Sequence, residues 1–193
     1  MIVGLTGSIA SGKSFVAKMF EKMGYPVFYA DDEAKKLYYD NDVIRDLKST
    51  ISEDLYKGNI PDFGKISEFV FSCRENNKLL SDRLLAHLYP VLLKWIADNP
   101  SDINIVEAAV LYESGWDKYV DVVLCVYCDE KIRIERIKKR NINNTANYID
   151  RIKYQLPDEV KREKADYVID NDGVKPLLPQ IVEFLKFVEK WKE

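Results

Sequence analysis

Gly7-Ser8-Ile9-Ala10-Ser11-Gly12-Lys13-Ser14 is a loop bounded by glycines that closes on a lysine and a hydroxyl, directly after the apolar run Ile2-Val3-Gly4-Leu5-Thr6. Such a loop can curl so that successive backbone N–H groups point at phosphate oxygens, while the helix that follows turns its positive end toward the same anion. The strand–loop–helix setting makes the pattern a phosphate-binding P-loop, and Phe15-Val16-Ala17-Lys18-Met19-Phe20 continues it with helical spacing. Gly7, Ser8, Ile9, Ala10, Ser11, Gly12, Lys13, Ser14 and Phe15 are therefore expected to bind ATP. Lys13 reaches for the β- and γ-phosphates, and Ser14 offers its hydroxyl to Mg²⁺.

Three further groups bear on the chemistry. Pro26-Val27-Phe28-Tyr29 runs into Ala30-Asp31-Asp32, which puts two carboxylates at the C-terminal end of a strand, where ligands bind in a doubly wound sheet. A carboxylate there accepts a proton from an attacking hydroxyl or holds Mg²⁺; equally, Asp31 or Asp32 can cap the helix that contains Ala34 and Leu37. Ile105-Val106-Glu107 ends another strand in an acid, as a direct or indirect Mg²⁺ contact requires, so Ser14 and Glu107 are the candidate metal residues. Arg133, Arg136 and Arg140 recur at i, i+3 and i+7 on one helix face. Three guanidiniums there suit the charge of a triphosphate in transfer, and the same spacing also describes a solvated surface helix.

These residues need a scaffold, and the pattern supplies one. Apolar runs recur at residues 2–6, 26–29, 103–107, 122–127 and 167–169, with helical periodicity between most of them, which implies a mainly parallel sheet with helices on both faces. Residues 40–100 break that rhythm, with Val70-Phe71, Leu79-Leu80, Leu84-Leu85 and Leu92-Leu93 reading as helices in an insertion. The basic run from Lys131 to Arg140, followed by Asn141-Ile142-Asn143-Asn144-Thr145, reads as a helix ending in a mobile loop, and residues 177–192 read as a last amphipathic helix.

A chain of 193 residues is one domain able to bury a proper core. Its 29 basic and 32 acidic residues, net charge -3, argue against a dedicated nucleic-acid binder. A core strand beginning at Ile2 leaves no room for a secretory signal, and no apolar run approaches membrane-spanning length, so a cytoplasmic location with no membrane partner is expected. Three cysteines in such a chain read as reduced thiols, and Cys125-x-x-Cys128, in a strand-like run, reads as packing rather than zinc or redox chemistry.

In order and spacing these motifs resemble the dephospho-coenzyme A kinase family along nearly the whole chain. Residues 4–14 are similar to its Gly-Leu-Thr-Gly-Gly-Ile-Gly-Ser-Gly-Lys-Ser, Ala30-Asp31 to the end of its Asp-Ala-Asp, and Val110-Leu111-Tyr112-Glu113-Ser114-Gly115 to its Pro-Leu-Leu-Phe-Glu-Ser-Gly. Arg136 and Arg140 fall where its lid arginines fall, Arg151-Ile152 and Gln155 follow, and residues 165–173 resemble its Ala-Asp-x-Val-Ile-x-Asn-x-Gly. Tyr29 stands in place of the family's first Asp, Ala109 in place of its usual proline, and Tyr89-Pro90 in place of its His-Pro, with His87 given no catalytic role.

The resemblance implies a P-loop kinase fold with a five-stranded sheet, a helical acceptor-binding insertion and a lid. It implies one domain over 1–193, with a nucleotide core at 1–30 and 101–193, the insertion at about 31–100 and the lid at about 136–150. It implies transfer of the γ-phosphate of ATP to the ribose 3′-hydroxyl of 3′-dephospho-CoA with Mg²⁺, with Asp31 as base and with Lys13, Arg136 and Arg140 as the other catalytic residues. The expected partners are ATP and dephospho-CoA, and the expected state is a monomer or weak homo-oligomer. Another P-loop kinase, acting on a nucleoside monophosphate or small metabolite, is the alternative. A GTP-type switch is disfavoured, because the chain has no Asn-Lys-x-Asp.

Overall fold

The computed structural model describes residues 1–139 and 155–191. It divides into two compact units, Met1–Phe28 with Ser101–Glu193, and Tyr29–Pro100.

The first unit is built on a sheet of order β2-β5-β1-β6-β7. Its strands are β1 (Ile2–Thr6), β2 (Val27–Tyr29), β5 (Asn104–Glu107), β6 (Val122–Tyr127) and β7 (Tyr167–Asp170). Pairing is parallel between β1 and β5, β1 and β6, and β6 and β7, with Leu5 opposite both Glu107 and Leu124. Every residue of β5 and all but the last of β6 are buried, which is why these strands read as unbroken apolar runs rather than alternating ones.

The chain leaves β1 toward one side of the sheet and, after β5, crosses to the other. The C-terminal end of β1 therefore lies at the switch point where such sheets open a crevice. Helix α1 (Lys13–Lys22) buries Val16, Ala17 and Phe20, and the last helix, α8 (Leu177–Trp191), buries Ile181, Phe184 and Val188, each set at helical spacing. The two helices meet edge to face at Phe20 and Phe184, with ring centroids 6.1 Å apart. Helices α6 (Glu130–Lys139) and α7 (Asp158–Lys164) and a short 3-10 turn at Trp116–Tyr119 also belong to this unit.

The second unit comprises α2 (Ala30–Leu37), α3 (Asn41–Thr50), α4 (Phe63–Ser72) and α5 (Arg74–Asp98) around a core of Tyr38, Val43, Ile44, Leu47, Leu55, Tyr56, Ile66 and Leu80. Asp40 caps α3 through the amides of Asp42 and Val43, and Asp62 caps α4 through those of Gly64 and Lys65. Periodicity signalled only helices here. The structure adds a small antiparallel pair, β3 (Tyr56–Lys57) with β4 (Ile60–Pro61), too short to leave a period-2 trace. His87 is accounted for within this unit, its Nε2 3.0 Å from Asp46 Oδ2.

Among the described residues no helix is long and apolar enough to cross a membrane.

Candidate active site

The turn from β1 into α1 forms a cavity of about 230 Å³, lined by the loop residues from Gly7 through Phe15 other than Ser11, and by Ala109. Backbone geometry explains both flanking glycines. Gly7 has φ 152°, and a Cβ there would stand 2.5 Å from the Val126 carbonyl oxygen; Gly12 has φ 98°, and a Cβ there would stand 2.0 Å from Asn171 Nδ2. Ala10 adopts a left-handed backbone as well, at φ 65°. An L-residue adopts that conformation at a cost of roughly 1–2 kcal/mol, the kind of local strain that collects at ligand sites.

No side chain caps α1, whose N-cap is Gly12, and its first turn carries no carboxylate, so nothing of the helix's own neutralises its positive end toward the cavity. The oxygen ends of the loop's peptides are dealt with separately. Arg133 Nη1 donates to the Ile9 carbonyl at 3.1 Å, and Arg136 Nη1 to those of Ala10 and Ser11, both at 3.3 Å. Asn171 Nδ2 adds a bond to the Ser11 carbonyl at 2.6 Å, and Arg136 Nη2 reaches the Asn171 carbonyl at 2.8 Å. Two guanidiniums thus offset three consecutive carbonyl dipoles that would otherwise repel an anion.

Of the lining residues, Lys13 forms an ion pair with Glu107, and Ser14 Oγ donates to the same Glu107 oxygen at 3.0 Å. Lys13 is 8% exposed and Glu107 3%. Parallel pairing of β1 with β5 brings them together: Glu107 is the last residue of β5, in register with Leu5 two residues before the loop. An ammonium beside a backbone cradle suits phosphate, and a hydroxyl beside a carboxylate is a pair of hard oxygen donors suited to Mg²⁺. Among the described residues no cluster of three His, Cys, Asp or Glu side chains could hold a metal alone. A cation at Ser14 and Glu107 would complete its shell with water and substrate phosphates, the usual habit of Mg²⁺.

The dephospho-CoA kinase family model matches residues 1–176. The chain belongs to the dephospho-CoA kinase family. It is 34% identical over 192 residues to the dephospho-CoA kinase of Bacteroides fragilis strain YCH46, covering 96% of this chain and 92% of that one. Among solved structures it is similar to TT1252 from Thermus thermophilus, with TM-score 0.81 and 27% identity over 98% of this chain and 96% of that one. The fold is also that of the dephospho-CoA kinase from Campylobacter jejuni, with TM-score 0.63 and 22% identity over 100% and 98% of the two chains.

Of the residues singled out from the sequence of this family member, the structure gathers Gly7–Ser14 and Phe15 at one cavity, although Ser11 is wholly buried outside its lining, and Glu107 joins them from behind the lining through Lys13 and Ser14. Arg133 departs from expectation. It is 1% exposed, with Nε on the Cys128 carbonyl at 3.2 Å and Nη2 paired with Asp158, so it braces the loop from within and does not line the P-loop cavity. Arg136 is half-buried against the loop, and Arg140, with residues 140–150 of the expected lid, lies outside the described residues.

Asp31 and Asp32 lie in the first turn of α2, whose N-cap is Tyr29, so neither acid stands at the N-cap position. Cys125 and Cys128 are buried free thiols; burial pushes the Cys125 thiol up to about 12, and Cys128 is raised by the same cause. The sequence reading missed Asp158 and Lys161. Both belong to the polar run Asp158–Lys164, which looks like a solvated helix until Asp158 is seen on Arg133 and Lys161 is seen fully buried.

Proposed function

We propose that the chain carries out its family's reaction in full: transfer of the γ-phosphate of ATP to the ribose 3′-hydroxyl of 3′-dephospho-CoA, giving CoA and ADP, the last step of coenzyme A biosynthesis. The observation that carries this is the P-loop cavity with Lys13, Ser14 and Glu107 converging on it, in a chain matched to the family over nearly its whole length. Phosphoryl transfer gives the protein little covalent work, so the rate comes from alignment and from charge placed on the transferring group.

Lys13 leaves Glu107 for the β- and γ-phosphates when ATP enters. Ser14 and Glu107 are the residues that would hold Mg²⁺ brought with ATP, and the chemistry such an ion would supply there is neutralisation of the phosphates' charge. Asp31, in the first turn after β2, takes the proton of the acceptor hydroxyl; its support is its place in the family motif and at a strand end. Arg136 steadies the loop and, with Arg140, supplies positive charge from the lid at about 136–150, which excludes water. The unit 29–100 is the acceptor-binding part of a single kinase domain, and the enzyme works in the cytoplasm as a monomer or weak homo-oligomer.

An acceptor panel with Mg-ATP tests this. Dephospho-CoA should be converted to CoA, and AMP, CMP, shikimate and adenosine should be used at least about a hundredfold less efficiently, a discrimination a hydrogen-bonding site supplies. Comparable kcat/KM with a nucleoside monophosphate would overturn the acceptor and leave only a P-loop kinase.

A further inference from the structure

Lys161 is fully buried, yet no phosphate could reach it, and the chemistry above does not use it. Its Nζ pairs with Glu113 Oε1 at 2.9 Å and donates to the Ala109 carbonyl at 2.8 Å. The same Glu113 oxygen accepts the Leu156 amide at 2.7 Å. Ala109 follows Glu107 by two residues and lines the nucleotide cavity. One ammonium on α7 therefore grips both ends of the turn 109–113, at the backbone beside the cavity and at the carboxylate that closes the turn. Between those points the turn is held by the Ser114 amide on the Val110 carbonyl at 2.9 Å, and just before it the Ala108 amide bonds the Leu5 carbonyl at 3.0 Å.

A buried ion pair is a poor source of stability, because desolvation offsets most of its attraction and an apolar pair of similar volume would hold the fold as well. What an ammonium adds is direction, since its three donors serve a carbonyl and a carboxylate at once. The geometry points to Lys161 as a positioning residue for the nucleotide: by fixing the Ala109 carbonyl it sets the cavity wall and the path of the chain leaving Glu107. This rests on the cavity taking ATP and is independent of the acceptor.

Three proteins test it: wild type, Lys161→Met, and Lys161→Met/Glu113→Gln, in which the stranded charge is removed while an acceptor for the Leu156 amide is kept. ATP binding is measured by calorimetry without acceptor, and melting temperature and both KM values are measured alongside. Lys161→Met should melt lower and bind ATP about tenfold or more weakly, since small misplacements in a binding shell cost that much or more. The double variant should regain most of the melting temperature but stay about tenfold weak for ATP, with KM for ATP raised alike and KM for the acceptor within about twofold of wild type. Wild-type ATP affinity in the double variant would overturn the proposal, as would a double variant that does not fold, because the pair would then serve the fold itself. Failure of the acceptor panel would leave the ATP comparison unchanged, so the two readings fail separately.

Discussion

Lys13→Met separates two consequences that the sequence pattern alone runs together. Read as a P-loop lysine, the side chain serves only the phosphates, and its loss removes a point charge from the transition state. That should lower kcat at least about a hundredfold, roughly 2.7 kcal/mol. The structure adds a second cost, because Lys13 is the cation paired with Glu107 at side-chain exposures of 9% and 5%. Removing one partner of a buried pair typically costs about 3–5 kcal/mol. Glu107 keeps the Ser14 hydroxyl at 3.0 Å and sits beside an open cavity, which puts this case at the low end, about 3 kcal/mol. For a chain of this size that is a fall in melting temperature of about 6–12 °C. Lys13→Met/Glu107→Gln should recover most of the melting temperature and none of the turnover, since the stranded charge is gone but the phosphate contact is not restored. Thermal melting by circular dichroism and ADP release with ATP and dephospho-CoA read the two effects. A Lys13→Met protein melting with wild type would refute the ion pair, and one turning over within about tenfold of wild type would refute the part given to Lys13 in transfer.

Asp31→Asn should lower kcat by about a hundredfold or more, whereas Asp32→Asn, which loses an exposed pair with Lys35, should keep wild-type turnover; the reverse pattern would move the base by one residue. Gly12→Ala should destabilise the chain by about 1–2 kcal/mol for its left-handed backbone and, by driving Asn171 off the loop, weaken ATP binding further. Adding Asn171→Ala relieves the contact but not the backbone, which a melting series resolves. At pH 8 an aromatic disulfide reagent should label one thiol in the native chain, Cys73, and three after denaturation; rapid labelling of a second native thiol would contradict the burial of Cys125 and Cys128. Because the Cys125 thiol is raised from 9.0 to about 12, the unfolded chain loses that proton first as pH rises, so stability should fall between pH 9 and 12 with a slope of up to about 1.4 kcal/mol per pH unit. Cys125→Ala should remove that part of the slope.

The P-loop was legible because its chemistry is local: eight consecutive residues carry the glycines, the lysine and the hydroxyl, and the apolar run before them needs no partner to be recognised as a strand. The parallel sheet was legible for a related reason, since strands buried on both faces must be apolar throughout, wherever they sit in the sheet. Partner choice is different in kind. Lys13 and Glu107 are 94 residues apart, and they meet only because β5 lies beside β1 in parallel register, an adjacency that no periodicity encodes. Arg133 and Arg136 share a helix face and look interchangeable in the sequence; packing buried the first against Asp158 and Cys128 and left the second half-buried on the loop. Lys161 sits in a run of charges that suits solvent, and only the turn folded over it, with the Ala109 carbonyl and the Glu113 carboxylate, makes its burial tolerable. By itself the sequence determined the pieces whose physics is contained in neighbouring residues. Tertiary structure decided which charges face the cavity and which are spent holding it, because a buried charge is tolerated only where distant parts of the chain bring it a partner.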